Sequence, residues 1–243
     1  MRLGSIKLLR FRGITLEMHP SFYLLPIIVG VQGWADGGGH GVLQNWWAVA
    51  LVYTCVVLHE FGHALTAIAL GYPVRHIVLL PFGGMALLER QPRSPRAELL
   101  ITMDGPMVNF AIVALCTLLL GGWPKDGLDA ALPGSHLHSI LKFLLTSNLM
   151  LGCFNLLPAF PMDGGRILRA LLAFYFDYLR ATRYAVIIGR FVAAAGILVA
   201  LWLGAYMLVV LFVFILIVGH SEYQYLRRVE PPQSPPDVPP FLT

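Results

Sequence analysis

The 243-residue chain is 57% hydrophobic and only 12% charged, with a mean hydropathy of +0.72, a balance that excludes an ordinary water-soluble domain and points to a membrane protein. Its formal net charge of +4 comes from basic residues gathered between apolar runs, so topology accounts for the charge and no nucleic-acid partner is implied. Cys55, Cys116 and Cys153 lie in apolar stretches without CxxC spacing, which excludes a disulfide framework or a thiolate zinc finger.

The chain opens MRLGSIKLLRFRG and reaches its first long apolar run only after Glu17. No small-residue cleavage pattern follows, so a removable signal peptide is not expected. Residues 6–16 hold short apolar runs around Gly13 that are able to pair as strands. Six spans are then predicted, at about residues 18–34, 46–70, 99–123, 140–160, 184–202 and 203–219. A single helix over residues 184–219 would be about 54 Å long at 1.5 Å per residue, far beyond one bilayer thickness. A turn near Gly204 is therefore expected.

Between the second and third spans, residues 76–88 are too apolar for a solvated loop, yet Pro81 and the Gly83-Gly84 pair argue against a helix. The segment is predicted to be a membrane-dipping hairpin beside the helices of the site, because non-helical backbone at that depth needs protein or a wet cavity against it. Prolines 231, 232, 235, 236, 239 and 240 give the end of the chain an extended character. The predicted fold class is an all-α polytopic membrane protein with about six transmembrane helices and a small membrane-associated β-sheet or hairpin. The expected divisions are a strand-like N-terminal segment (1–17), a transmembrane domain (18–220) and a Pro-rich tail (221–243).

Arg2, Lys7, Arg10 and Arg12 precede the first span; Arg75, Arg90, Arg93 and Arg96 follow the second. Arg166, Arg169, Arg180 and Arg183 follow the fourth, and Arg227 and Arg228 the sixth. The opposite loops hold Lys125, with Lys142 near a span end. By the positive-inside rule both termini are expected in the cytoplasm, as in a multi-pass protein of the cell membrane.

The second span contains His59-Glu60-Phe61-Gly62-His63, an H-E-x-x-H pattern. Four residues of helix place the two imidazoles about 6 Å apart along one face, where both can reach a single metal ion. Two histidines and a carboxylate in an apolar span are expensive to desolvate, and a metal with a wet cavity would supply their partners. Zinc, one per chain, activates water near neutral pH and polarises a carbonyl, while Glu60 is placed to take the water's proton. A third ligand is needed, and the acidic residues near the second to fourth spans are Glu60, Glu89, Glu98, Asp104 and Asp163.

With HEFGH, the Asn155-Leu156-Leu157-Pro158-Ala159-Phe160-Pro161-Met162-Asp163-Gly164 segment and Gly105-Pro106-Met107-Val108-Asn109, the chain resembles the site-2 protease family of intramembrane zinc metallopeptidases. Asn155 to Gly164 matches the family's NxxPxxPxDG pattern, and the resemblance implies that Asp163 joins His59 and His63 as the third zinc ligand. It also implies that 18–220 is a peptidase domain cleaving membrane-spanning protein or peptide substrates near the cytoplasmic side. Pro81 to Gly84 fits the family's short membrane-associated sheet, making Gly83 and Gly84 candidate substrate contacts. Neither a PDZ insert nor a nucleotide-sensing CBS pair is expected, so this looks like a compact form of the family.

For Asn109 and Asn155 two readings stand: contact with the substrate backbone or oxyanion, or hydrogen bonds between helices. Asp104 is a candidate to support a ligand from behind or to replace one, Cys55 a packing residue, and Arg190 a snorkelling one. The alternative function is a metal-ion or proton-coupled transporter using His59, His63 and Asp163. That alternative gives Glu60 little to do, and the chain lacks the related halves common in transporters. Beyond substrate and bilayer no partner is implied, and oligomeric state is left open.

Overall fold

The computed structural model describes residues 4–81, 83–90, 92–125, 127–128, 132–134 and 136–229. Residues 1–3 of the expected N-terminal segment, Phe82 of the expected hairpin and the proline-rich residues 230–243 lie outside them. The chain forms two compact units, Met1–Pro92 with Leu100–Phe154, and Arg93–Leu99 with Asn155–Thr243. It is a helical polytopic membrane protein carrying one four-stranded sheet.

In the first unit, β1 (Ile6–Phe11) and β2 (Ile14–Met18) form a hairpin turning at Arg12 and Gly13. Pro20 then starts a 3-10 turn, Pro20–Tyr23, before helix α1 (Leu24–Ala69). Helix α1 is not one rod: Gly37 (φ −160°, ψ 22°) and Gly38 (φ 59°, ψ −144°) are non-helical. Trp46 Nε1 donates to the Pro26 carbonyl at 2.9 Å and Asn45 Nδ2 to the Val29 carbonyl at 3.1 Å. Residues twenty apart on a straight helix would be about 30 Å apart, so the chain doubles back. The arms, residues 24–36 and 39–69, run antiparallel.

The second arm ends at Gly71, whose positive φ of 84° closes a capping turn with Tyr72 N–H on the Ala67 carbonyl at 2.9 Å and Gly71 N–H on the Ile68 carbonyl at 3.0 Å. Strands β3 (Val74–Leu80) and β4 (Gly83–Leu88) follow, and the sheet order is β1-β2-β3-β4. β2 and β3 are parallel, with Thr15 opposite His76 and Met18 opposite Leu79. The strand leading into the first arm thus lies beside the strand leaving the second. Ile14, Leu16, Ala64, Ala67, Val74, Ile77, Leu79 and Ile101 form the core between sheet and helices. Helix α2 (Pro95–Leu119) from Leu100 onward and α3 (Leu137–Asn155) as far as Phe154 complete the unit, packing through Val113, Cys116 and Leu145.

The second unit contains α4 (Asp163–Leu172), α5 (Tyr178–Trp202) and α6 (Tyr206–Val229). α5 and α6 turn at Gly204 (φ 66°) as expected. Arg169, 3% exposed, donates to Glu98 through Nε at 3.0 Å and to Glu222 through a terminal nitrogen at 2.9 Å. Its guanidinium lies 5.0 Å from the Phe160 ring centre and 4.9 Å from that of Tyr178. Burial pulls the Arg169 pKa down, but Glu98, Tyr178 and Glu222 outweigh it and hold the value above the ordinary one.

Among the described residues five helices are long and apolar enough to cross a membrane, and the doubled-back α1 restores the sixth pass. Two features were not anticipated. α4 is a separate short helix rather than the frayed end of a span. α6 continues to Val229, so residues 221–229, assigned to the tail from sequence, are helical; Glu222 ties this stretch to Arg169, and Arg227 and Arg228 suit a helix C-terminus.

Candidate metal centre

His59 and His63 lie one turn apart on the second arm of α1, 4% and 5% exposed. Each is oriented through Nδ1. His63 Nδ1 is 2.7 Å from the Ile101 carbonyl, which can only accept, so Nδ1 carries the proton and Nε2 the lone pair. His59 Nδ1 is 2.6 Å from Asn109 Oδ1 in the same arrangement. The two Nε2 atoms are 3.1 Å apart. Lone pairs facing each other at that distance repel unless a cation lies between their directions, which is the chemistry of a two-histidine metal site.

Gly105 of α2 leaves that side open. A Cβ there would sit 2.8 Å from His59 Nε2 and closer still to His63 Nε2. The cradle thus fits a metal ion and would not tolerate a methyl group. Glu60, 8% exposed, reaches β4, its Oε2 accepting the Ala86 N–H at 2.9 Å. Gly84 allows this approach, since a Cβ would lie 2.6 Å from Glu60 Cγ.

The outer edge of β4 therefore faces the carboxylate. Glu89 N–H donates to the Pro73 carbonyl at 3.1 Å, so odd-numbered residues bond toward β3 and Gly84, Ala86 and Leu88 point outward. A groove of about 590 Å³ is lined by Val52, Tyr53, Val56, Phe143 and Leu151 among others, and by Pro81 and Gly83 of the turn into β4. Tyr53 fixes that turn, its hydroxyl 2.8 Å from the Leu80 carbonyl and 2.6 Å from that of Pro81.

The remaining expected residues fall as follows. Asn109 is fully buried between His59 and Asn148 and bonds both. Asn155 ends α3 and is half-buried, and Gly83 and Gly84 open β4. Asp104 accepts from Thr66. Arg190 meets His220. In the second unit Asp163 is the first residue of α4 and 7% exposed. A Cβ at Gly165 would lie 2.7 Å from the Ala159 and Phe160 backbone, so this glycine lets the preceding loop fold against the start of α4. Sequence reasoning gave Asn148 no role, and although Gly105 was visible as the glycine immediately before Pro106-Met107-Val108-Asn109, its closeness to the histidines was not.

The Peptidase family M50 model matches residues 47–133 and 127–190. The chain belongs to peptidase family M50. A zinc metalloprotease of Methanocaldococcus jannaschii is 39% identical over 202 residues, covering 81% of this chain and 54% of that protein. Stage IV sporulation protein FB of Bacillus subtilis is 27% identical over 186 residues, covering 73% of this chain and 59% of that one. The site-2 protease structure from M. jannaschii superposes with a TM-score of 0.63 at 30% identity, over 97% of this chain and all of that one. The chain spans about half the length of the first curated relatives it matches. M50 membership accords with both the histidine cradle and the carboxylate beside it.

Proposed function

We propose that this M50 chain is an intramembrane zinc endopeptidase that cleaves membrane-spanning protein or peptide substrates near the cytoplasmic side, with His59, His63 and Asp163 holding one zinc ion. The observation that carries the reading is the pair of imidazoles whose Nδ1 atoms are both committed as donors while their Nε2 atoms meet at 3.1 Å. Asp163 is supported by its motif and by its burial at the start of α4. When bound, zinc supplies Lewis acidity toward water and the scissile carbonyl.

The chain's own residues supply the rest. Glu60 is the general base, held by the Ala86 N–H so that its carboxylate stays at the outer edge of β4. A helix hides its peptide groups in its own hydrogen-bond ladder, so the substrate must unwind locally to be cut. The outward groups of Gly84 and Leu88 can receive the unwound segment as an added strand, while the apolar groove that Gly83 helps to line accommodates its hydrophobic part. The same edge brings the peptide bond to Glu60. A transporter would gain nothing from a base fixed to a strand edge.

Both termini are placed in the cytoplasm of a cell-membrane protein on the strength of the basic residues flanking alternate spans. Cysteine tags at residues 3 and 240 test this, and labelling from outside intact cells would reverse it. The test of function is incubation of purified protein with single-span peptides, with and without chelator, read by mass spectrometry. Discrete metal-dependent products support the reading; metal transport into liposomes without cleavage refutes it. Asp163→Ala should lose zinc, and full occupancy in that variant would remove Asp163 from the site.

A further inference from the structure

Behind His59 lies a hydrogen-bond chain whose direction is set far from the histidine. Asn148 and Asn109 are both fully buried. Asn148 Nδ2 donates to the Leu144 carbonyl at 2.8 Å and to Cys55 Sγ at 3.1 Å. Asn109 Nδ2 donates to Asn148 Oδ1 at 2.9 Å, and Asn109 Oδ1 faces His59 Nδ1 at 2.6 Å. Three helices contribute: Cys55 and His59 from α1, Asn109 from α2, Leu144 and Asn148 from α3.

A side-chain amide has a donor end and an acceptor end, so the chain could run either way. The Leu144 carbonyl removes the choice, because it can only accept. Asn148 must turn its nitrogen to Leu144 and its oxygen to Asn109; Asn109 must then turn its oxygen to His59. Reversing either amide sets oxygen against oxygen in a buried site.

We infer that Asn148 is a positioning residue that dictates the ring tautomer of His59 through Asn109, holding the proton on Nδ1 and the lone pair on Nε2. The inference rests on His59 being a zinc ligand only for its functional consequence; the tautomer itself is a property of the metal-free protein. Asn148 bonds Asn109, Cys55 and Leu144, yet its removal frees Asn109 to rotate and present N–H to His59 Nδ1, which moves the ring proton to the ligating nitrogen.

Asn148→Leu keeps the approximate volume and removes the polarity. Zinc affinity, measured by chelator competition, should fall about 10- to 100-fold, the range for loss of a group that orients a metal-bound histidine. Adding Asn109→Asp to that variant should restore affinity, since a carboxylate accepts from Nδ1 without needing direction from behind. Asn109→Asp alone should not match wild type, because its carboxylate faces Asn148 Oδ1. A packing role for Asn148 would not be rescued this way. Nitrogen NMR of labelled histidine in metal-free protein, with His59→Gln for assignment, should show His59 as the Nδ1–H tautomer in wild type and a mixture in Asn148→Leu. An unchanged affinity in Asn148→Leu, no rescue by the double variant, or an Nε2–H tautomer in wild type overturns the inference. Should wild type bind no zinc, the metal reading fails, and the tautomer measurement still decides the relay.

Discussion

Gly105→Ala is the most incisive perturbation of the metal cradle. The added methyl would lie 2.8 Å from His59 Nε2 and closer to His63 Nε2 and Cε1, where ordinary contact is about 3.5 Å. One or both rings must swing away. Neither can do so without breaking its Nδ1 bond, to Asn109 at 2.6 Å or to the Ile101 carbonyl at 2.7 Å. Each buried group left unsatisfied costs about 1–3 kcal/mol, so moving both rings costs about 2–6 kcal/mol, or roughly a 30-fold to 10⁴-fold loss of zinc affinity. Chelator competition measures this directly, with circular dichroism confirming the helical fold. Gly62→Ala is the control: its methyl would clash with the Asp104 carbonyl at 2.8 Å and Val108 at 2.9 Å, lowering stability rather than acting at the nitrogens. Wild-type zinc affinity in Gly105→Ala would refute the cradle.

Glu60→Gln should keep zinc, because the amide alters neither imidazole, while turnover falls by roughly 10²-fold to 10⁴-fold with loss of the base; cleavage at a near-normal rate would remove Glu60 from the mechanism. Leu88→Pro deletes an outward N–H of β4 and leaves the bonds to β3 in place, so kcat/KM should fall roughly threefold to tenfold, the worth of one backbone hydrogen bond, with zinc retained. Equal cleavage of helical substrates by this variant would argue against strand addition. Arg169→Met strands the Glu98 carboxylate, which is 1% exposed. It should destabilise the protein by about 3–5 kcal/mol, read in a thermal melt, with Glu98→Gln in the same background recovering part of the loss.

The helices and the juxtaposed histidine pair were legible because hydropathy and a four-residue spacing are local properties. The six expected passes correspond to observed helices, including the pair joined at Gly37 and Gly38. Strand pairing was only half legible. Two separate strand-forming segments could be seen, around Gly13 and over residues 76–88, and the reversal between the first two spans was expected, but the parallel pairing of Thr15 with His76 joins segments too far apart along the chain for any local pattern to encode. Asn109 was recognised through its motif, but its bond to Asn148, 39 residues away on another helix, was not visible. The Arg169 network escaped notice for the same reason, since Glu98 and Glu222 lie far from it along the chain.

The parallel ladder between β2 and β3 also constrains how the protein is made. Thr15 pairs with His76, so an N-terminal hairpin translated early keeps one strand edge open until the whole of α1 has been synthesised and threaded. Such long-range pairing is slow to form, and an open edge invites wrong partners in the meantime. Completion of the sheet also delivers β4, and with it the Ala86 N–H that fixes Glu60. Assembly thus has a built-in order: β4 is in place only after both arms of α1 have crossed, so an incompletely inserted chain holds its histidine pair without the backbone contact that orients Glu60.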